Sequence, residues 1–283
     1  TQNRLCGCGL AFRECPVWSE LGGAFGDLSL QEIDEIVSFR ESLGQGTVLR
    51  RSYLGRRTVD IPGLNRYIDR YKRLYSAVRD HTGARVLVDS SKSPTHGYLL
   101  QQMEGVDVKV VHLVRDPRAV AFSWSRKKIY DPSGEDPMYM TRLTPAASSK
   151  LWVRWNLAAE LLLAGKTESY LRLRYEDFVA RPKAAMARVL RLLHEEGKGL
   201  PFVNDHLVKL GVNHTLAGNP SRFLRGEVEL RPDEKWRRAM PLRSKLAVLA
   251  LTWPLFLRYG YPRRPGGADG GAARASESAG DIS

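Results

Sequence analysis

Apolar positions along the chain switch between helical and strand-like spacing. A stripe of tyrosine and aliphatic side chains at helical spacing predicts a helix over residues 64–81, and Gly83 fits its end. We interpret this stripe as core packing rather than as a stacking platform for a ligand. The same spacing predicts further helices over residues 29–43, 146–164, 182–194 and 233–259.

Short apolar runs predict strands between some of these helices. Residues 85–89 and 108–114 each lead through a polar turn into a helical segment, and residues 170–175 alternate apolar and polar side chains. Strand, loop and helix repeated in this way are typical of parallel βαβ units. We therefore expect a three-layer α/β/α domain over residues 1–261 with a mostly parallel central sheet. The Gly-, Ala- and Ser-rich residues 262–283 are expected to be a disordered tail.

Composition and charge narrow the possible functions. Hydrophobic residues make up 43% and charged residues 27%, which excludes collagen-like, wholly disordered and disulfide-scaffold classes. The net charge of +13, from 44 Lys and Arg against 31 Asp and Glu, implies an anionic partner. Much of this charge lies in residues 115–128 and 222–245. Two separate basic segments suit a small polyanion held from two sides, although a merely solvated basic surface is an equally weighted alternative.

The cysteines and the longest apolar run bear on localisation and metal binding. Cys6, Cys8 and Cys15 do not describe a secreted disulfide framework, so a cytoplasmic protein is expected. They offer three thiolates for zinc, but their segment contains no fourth ligand at suitable spacing, and we therefore expect no metal. The longest apolar run, residues 246–257, is twelve residues long and contains Pro254. It is shorter than the roughly 20 residues of a membrane span and is interpreted as a core helix.

The turn after the second predicted strand has features of an anion site. Asp116 can cap the next helix, and Pro117 suits its first turn, so we expect unpaired backbone N–H groups at the positive end of the helix dipole. Arg115 carries a planar fork for a phosphate. Ser123 lies seven residues beyond Asp116, about two turns at 3.6 residues per turn, and faces the same side. An arginine paired with a nearby acid and a serine bonded to its own backbone are the alternative.

Four motifs in order resemble one family. The sequence VVHLVRDPRAVAFSWS at residues 110–125 resembles the 3′-phosphate motif of sulfotransferases that use 3′-phosphoadenosine 5′-phosphosulfate (PAPS). Further matches are VDSSKSP at 88–94, LRYEDF at 173–178, and GNPSRF at 218–223 followed by DEKW at 233–236. The resemblance covers about residues 4–258 and is greatest to bacterial members. It implies a P-loop nucleotide-binding-like fold that binds its donor at the carboxyl ends of the strands.

The resemblance also implies residue roles. Arg115, Ser123 and Arg222 would hold the 3′-phosphate of PAPS, and Tyr175 would lie against the adenine, with a core role as the alternative for Tyr175. Lys92 would direct its ammonium at the reacting sulfuryl group, where a cation stabilises developing negative charge; a solvated surface lysine is its alternative. The implied reaction is sulfuryl transfer to a hydroxyl of a sugar, lipid or small alcohol. It needs no metal, and we expect no nucleic-acid partner. Residues 50–60 and 131–145 are candidates for the surroundings of the acceptor.

One family feature does not occur in the sequence. Family members carry a loop resembling Gly-x-x-x-Ser-Gly-Ser/Thr for the 5′-phosphosulfate, and bacterial members place it, with a proposed catalytic Glu, upstream of a segment like residues 6–9. We therefore expect the chain, which starts at Thr1, to be N-terminally truncated. Two rival functions remain open: a nucleotide-binding remnant without catalysis, and a basic nucleic-acid-binding module supported by charge alone.

Overall fold

The computed structural model describes residues 5–24, 30–43, 61–127, 129–131, 138–165, 167–216 and 218–261. The helices are α1 (Pro16–Ala24), α2 (Leu30–Ser42), α3 (Leu64–Thr82), α4 (Pro94–Leu100), α5 (Pro117–Ser125), α6 (Pro145–Leu163), α7 (Tyr175–Ala180), α8 (Pro182–Leu192), α9 (Lys235–Ala239) and α10 (Leu242–Arg258). The strands are β1 (Val110–Val114), β2 (Ile129–Asp131), β3 (Met138–Tyr139), β4 (Tyr170–Arg174), β5 (Leu207–Leu210) and β6 (Gly226–Glu229). The predicted tail at 262–283 and the segment 50–60 lie outside these ranges.

A parallel strand pair carries the α/β character of the chain. β1 and β4 run parallel, with Val110 opposite Tyr170 and Val114 opposite Arg174. The crossover between them contains α5 and α6, as a parallel connection requires. The mixed α/β class is therefore confirmed. Over the described residues β2–β3 and β5–β6 form separate antiparallel pairs, so the wider three-layer sheet stays a prediction.

The predicted strand at residues 85–89 is wrong. These residues pair with no other strand of the described chain. Val88 is 87% exposed and Leu113 of β1 is 54% exposed. A strand forms when a neighbour satisfies its backbone groups, and among the described residues β1 pairs only with β4.

The core is built around α6. Towards α3 and α4 its Leu162 and Leu163 pack with Leu99 and Tyr67. Towards α10 its Trp152 joins the cluster of Val114 and Phe256. The interpretation of residues 246–257 as a core helix is confirmed, because α10 buries one face in this cluster. None of the described helices combines the length and apolar content that crossing a membrane requires.

The segment between β5 and α9 contains a strand that the sequence pattern does not predict. Its residues 226–229 form β6, which pairs antiparallel with β5 in a register that sets Leu207 opposite Glu229 and Val208 opposite Val228. The sequence GEVE has one apolar side chain among four residues, too weak an alternation to predict a strand. Among the described residues between the two strands lies a 3-10 turn at Pro220–Phe223.

Candidate active site

The turn between β1 and α5 is fixed by a buried ion pair. Asp116 accepts a hydrogen bond from the backbone N–H of Arg118 at 2.8 Å, which confirms its capping role. The Arg118 guanidinium returns to the same carboxylate through Nε at 3.0 Å and NH2 at 2.6 Å. Arg118 also lies over the rings of Trp236 and Phe256, at 4.7 and 5.0 Å from their centroids. These contacts join α5 to α9 and α10 and hold the turn rigidly.

Two backbone N–H groups of this turn, which we expect from the sequence to be unpaired, donate hydrogen bonds to carboxylates. Besides the Arg118 amide, the Asp116 amide donates to Glu176 Oε1 at 2.9 Å. The hydroxyl of Tyr261 donates to the other oxygen of Glu176 at 3.0 Å. Burial raises the pKa of Tyr261, and the charge of Glu176 raises it further. The expectation of unpaired amides is therefore wrong for these two groups, so neither is open to an anion.

Arg115 and Tyr175 lie in contact at this edge. Because Val114 is opposite Arg174, the two following residues leave the parallel pair at the same carboxyl end. The Arg115 guanidinium lies 4.6 Å from the centroid of the Tyr175 ring, and its NH2 donates to Asp233 at 3.1 Å. Its Nε is buried and has no hydrogen-bond partner among the described residues. A buried donor of this kind is costly unless a ligand or water satisfies it.

Ser123 and Arg222 lie on two elements that are linked through β2. Ser123 lies in the last turn of α5, half-buried. Arg222 is buried in the turn Pro220–Phe223, where its NH1 donates to the Gly218 carbonyl at 2.9 Å. That turn packs against β2, which starts four residues after the end of α5. The convergence of both side chains with Arg115 on a single pocket stays a prediction.

Lys92 lies in a loop with an unusual backbone. It is one of two non-glycine residues in the described chain with positive φ, at 64°, a conformation that costs free energy for any residue with a Cβ. Its side chain is exposed and has no ion-pair partner among the described residues. Directly after it, Ser93 caps α4 by accepting from the His96 amide at 3.3 Å.

Asp89 anchors the other end of this loop. It accepts hydrogen bonds from the Ser91 amide at 2.7 Å, the Tyr75 hydroxyl at 2.5 Å and His96 Nε2 at 3.1 Å. The Tyr67 hydroxyl in turn donates to His96 Nδ1 at 2.9 Å. Burial raises the pKa of Asp89, but the bonds from His96, Tyr75 and Ser91 outweigh it and hold the pKa well below its ordinary value.

Sequence reasoning missed this network and one further cluster. Tyr67 and Tyr75 do pack in or near the core, but their hydroxyls point into the network, and only the i, i+4 repeat of tyrosines hinted at it. His112, by contrast, is hydrogen-bonded inside the fold, with Nε2 donating to Asn156 at 2.8 Å. The cysteines' own segment supplies no fourth ligand, but His214 from a distant part of the chain lies with Cys6, Cys8 and Cys15.

The chain matches a known family over about half of its length. Residues 57–198 match the family model of the sulfotransferase family. The matched range contains Lys92, Arg115, Ser123 and Tyr175. No curated protein and no solved structure matches the chain.

Proposed function

The chain belongs to the sulfotransferase family, and on that premise we propose that it moves a sulfuryl group from PAPS to an acceptor hydroxyl. The Arg115–Tyr175 pair carries the proposal. A guanidinium with a buried, open donor lies on an aromatic ring at the carboxyl end of a parallel strand pair. Open α/β sheets bind their ligands at this end.

The residues at this edge fit the donor nucleotide. Arg115 supplies charge-assisted hydrogen bonds to the 3′-phosphate, and Tyr175 supplies a flat apolar surface for the adenine. Asp233 holds the Arg115 guanidinium from one side at 3.1 Å, which orients its remaining donors. Ser123 from α5 and Arg222 from the turn beside β2 complete the phosphate site.

Lys92 is the proposed catalytic residue. Sulfuryl transfer places negative charge on the oxygen that links phosphate to sulfur, and an ammonium at this oxygen stabilises the transition state more than the ground state. The loop ends, Asp89 and Ser93, are both hydrogen-bonded. This fixes the backbone of Lys92 while its side chain stays exposed, so the ammonium is directed without being buried. No metal is needed, and the acceptor is a sugar, lipid or small alcohol.

The finer features of the fold belong to this proposal. A three-layer P-loop-like domain with further parallel strands beside β1 would cover the exposed apolar side chains of Val88 and Leu113. The 283 residues contain no loop resembling Gly-x-x-x-Ser-Gly-Ser/Thr. Nucleotide binding without turnover is the second candidate function.

Calorimetric titration tests the donor site directly. Adenosine 3′,5′-bisphosphate should bind the wild type more tightly than adenosine 5′-phosphate does. Arg115→Ala should weaken the bisphosphate roughly ten- to a hundredfold, because a charge-assisted hydrogen bond contributes about 1.5–3 kcal/mol. Arg79→Ala is the matched control, since this exposed arginine pairs only locally with Asp80. Equal affinity for the two nucleotides, or no effect of Arg115→Ala, would refute the assignment.

Salt dependence separates the nucleotide site from nucleic-acid binding. A basic nucleic-acid-binding module would bind many sequences with an affinity that falls steeply with salt. The donor site instead predicts that a large excess of DNA does not compete with the bisphosphate at physiological salt. Release of the bisphosphate from PAPS then separates catalysis from a binding remnant.

A further inference from the structure

Three thiols from the N-terminal segment and one imidazole from a distant part of the chain lie close together. The ligand atoms of Cys6, Cys8, Cys15 and His214 all lie within 4.8 Å of one another. His214 Nδ1 is 3.2 Å from Cys15 Sγ and 3.9 Å from Cys6 Sγ. Cys6 and Cys15 are fully buried, and all three cysteines are free thiols.

These distances match a tetrahedral zinc site. With Zn–S near 2.3 Å and Zn–N near 2.05 Å, a tetrahedron separates sulfur from nitrogen by about 3.6 Å. The two measured sulfur–nitrogen distances lie on either side of this value. Cys₃His is a set that binds structural zinc, and soft thiolates disfavour magnesium and calcium.

The backbone around the cluster is held in place by contacts that do not involve the four side chains. The Gly7 amide donates to the Thr215 carbonyl at 2.9 Å, and Trp18 Nε1 donates to the His214 carbonyl at 2.7 Å. A Cβ on Gly7 would lie 2.2 Å from Asn213 Oδ1 and 2.7 Å from the Asn213 carbonyl oxygen. Only glycine therefore allows the two segments to approach this closely.

Charge around the cluster also suits a bound ion. Three thiolates and Zn²⁺ leave a net charge of −1, since a coordinating imidazole is neutral. Arg225 NH2 donates to the Gly7 carbonyl at 3.2 Å, within the loop between Cys6 and Cys8. Its guanidinium provides the compensating positive charge at short range.

We propose that Cys6, Cys8, Cys15 and His214 bind one structural zinc ion. All four positions are filled by protein, so the site has no open position for catalysis. The ion fastens the N-terminal segment to residues 213–225. Within that segment Asn213 Nδ2 donates to the Arg222 carbonyl at 2.7 Å. Zinc therefore fixes the backbone of the loop that carries Arg222.

Metal content and cobalt substitution test the site on the full chain. Purified protein should contain about one zinc per chain, as a four-ligand site requires. After zinc is removed with a chelator under reducing conditions, added Co²⁺ should give a thiolate charge-transfer band and the intense d–d bands of tetrahedral coordination. His214→Ala should lose these bands or weaken Co²⁺ binding at least tenfold, whereas His206→Ala, an exposed histidine beside β5, should keep them.

Proteolysis provides a second readout that does not depend on a folded variant. Trypsin should cleave the zinc-free wild type after Arg222 and Arg225 faster than the zinc-loaded protein, and added zinc should restore protection. The proposal would be overturned if the purified protein contained no zinc and gave no tetrahedral cobalt spectrum. A disulfide between these cysteines in reducing buffer would also overturn it. Unchanged cleavage after zinc removal would overturn the link to the Arg222 loop.

Discussion

The β1–α5 turn and the loop from Asp89 to Ser93 each present one cation of the proposed site, Arg115 and Lys92, and they are held in different ways. In the turn, Asp116 and Arg118 bind each other across two residues and are buried. In the loop, Asp89 is held by Tyr75 and His96, which belong to α3 and α4. The ion pair that caps the turn is therefore local in sequence, with Glu176, Trp236 and Phe256 adding contacts from distant segments. The Asp89 carboxylate is instead held by side chains from two helices.

The two segments therefore differ in backbone strain as well as in their contacts. The buried pair stabilises one conformation of the turn, and Arg115 precedes it directly in the chain. The loop instead tolerates a positive φ at Lys92 because Asp89 and Ser93 are pinned on both sides. Strained residues of this kind persist only where their surroundings over-determine them, and they cluster at functional sites.

The largest expected effect comes from breaking the turn. Asp116→Ala removes the helix cap and leaves the Arg118 guanidinium buried without its partner. Loss of one member of a buried ion pair costs about 3–5 kcal/mol. We therefore expect the free energy of unfolding of Asp116→Ala, measured by urea denaturation, to be lower than that of the wild type by this amount. Asp80→Ala removes the exposed carboxylate that pairs with Arg79 and should change the free energy by less than about 1 kcal/mol. Equal effects of the two variants would show that burial does not distinguish the turn.

The same contrast explains what the sequence allowed us to predict. Asp116 and Pro117 predict the capped turn because the partners are adjacent. Apolar runs joined by helices also predict parallel strands at the positions of β1 and β4, but not that these two strands pair with each other. His214 could not be assigned to the cysteines because it lies 199 residues after Cys15. Glu176, whose carboxylate accepts a hydrogen bond from the Asp116 amide, is likewise 60 residues away in sequence. Contacts between distant segments leave no spacing signal in a single sequence.

An intermediate effect is expected at Asp89, with a defined pH dependence. Its pKa is lowered in the folded state, so its ionised form stabilises the fold above the unfolded value of about 3.9, and this contribution is lost as the pH falls below that value. Asp89→Asn should cost about 1.5–3 kcal/mol at neutral pH, because three hydrogen bonds to a charged group are weakened. The difference in unfolding free energy between wild type and variant should shrink as the pH falls below about 4.

Urea unfolding of both proteins across this pH range measures that difference. Asp80→Asn, whose side chain is exposed, is the matched control and should show no comparable change. A constant difference between wild type and Asp89→Asn at all pH values would contradict the role of the Asp89 charge in holding the loop.

Lys92→Gly should give the smallest change in stability, and it tests most directly how the loop and the turn differ. Glycine adopts positive φ without the Cβ penalty, so the variant should gain about 1 kcal/mol in the free energy of unfolding. His194, with φ of 54°, is the matched control. His194→Gly should gain a similar amount and leave release of adenosine 3′,5′-bisphosphate from PAPS unchanged, whereas Lys92→Gly should abolish that release and keep bisphosphate affinity within about twofold. Turnover that survives in Lys92→Gly would make Lys92 a surface lysine, and no gain in stability would mean that the loop holds no strain. Loss of turnover together with a gain in stability would show that the chain keeps a strained residue at a position where the lysine is required for turnover.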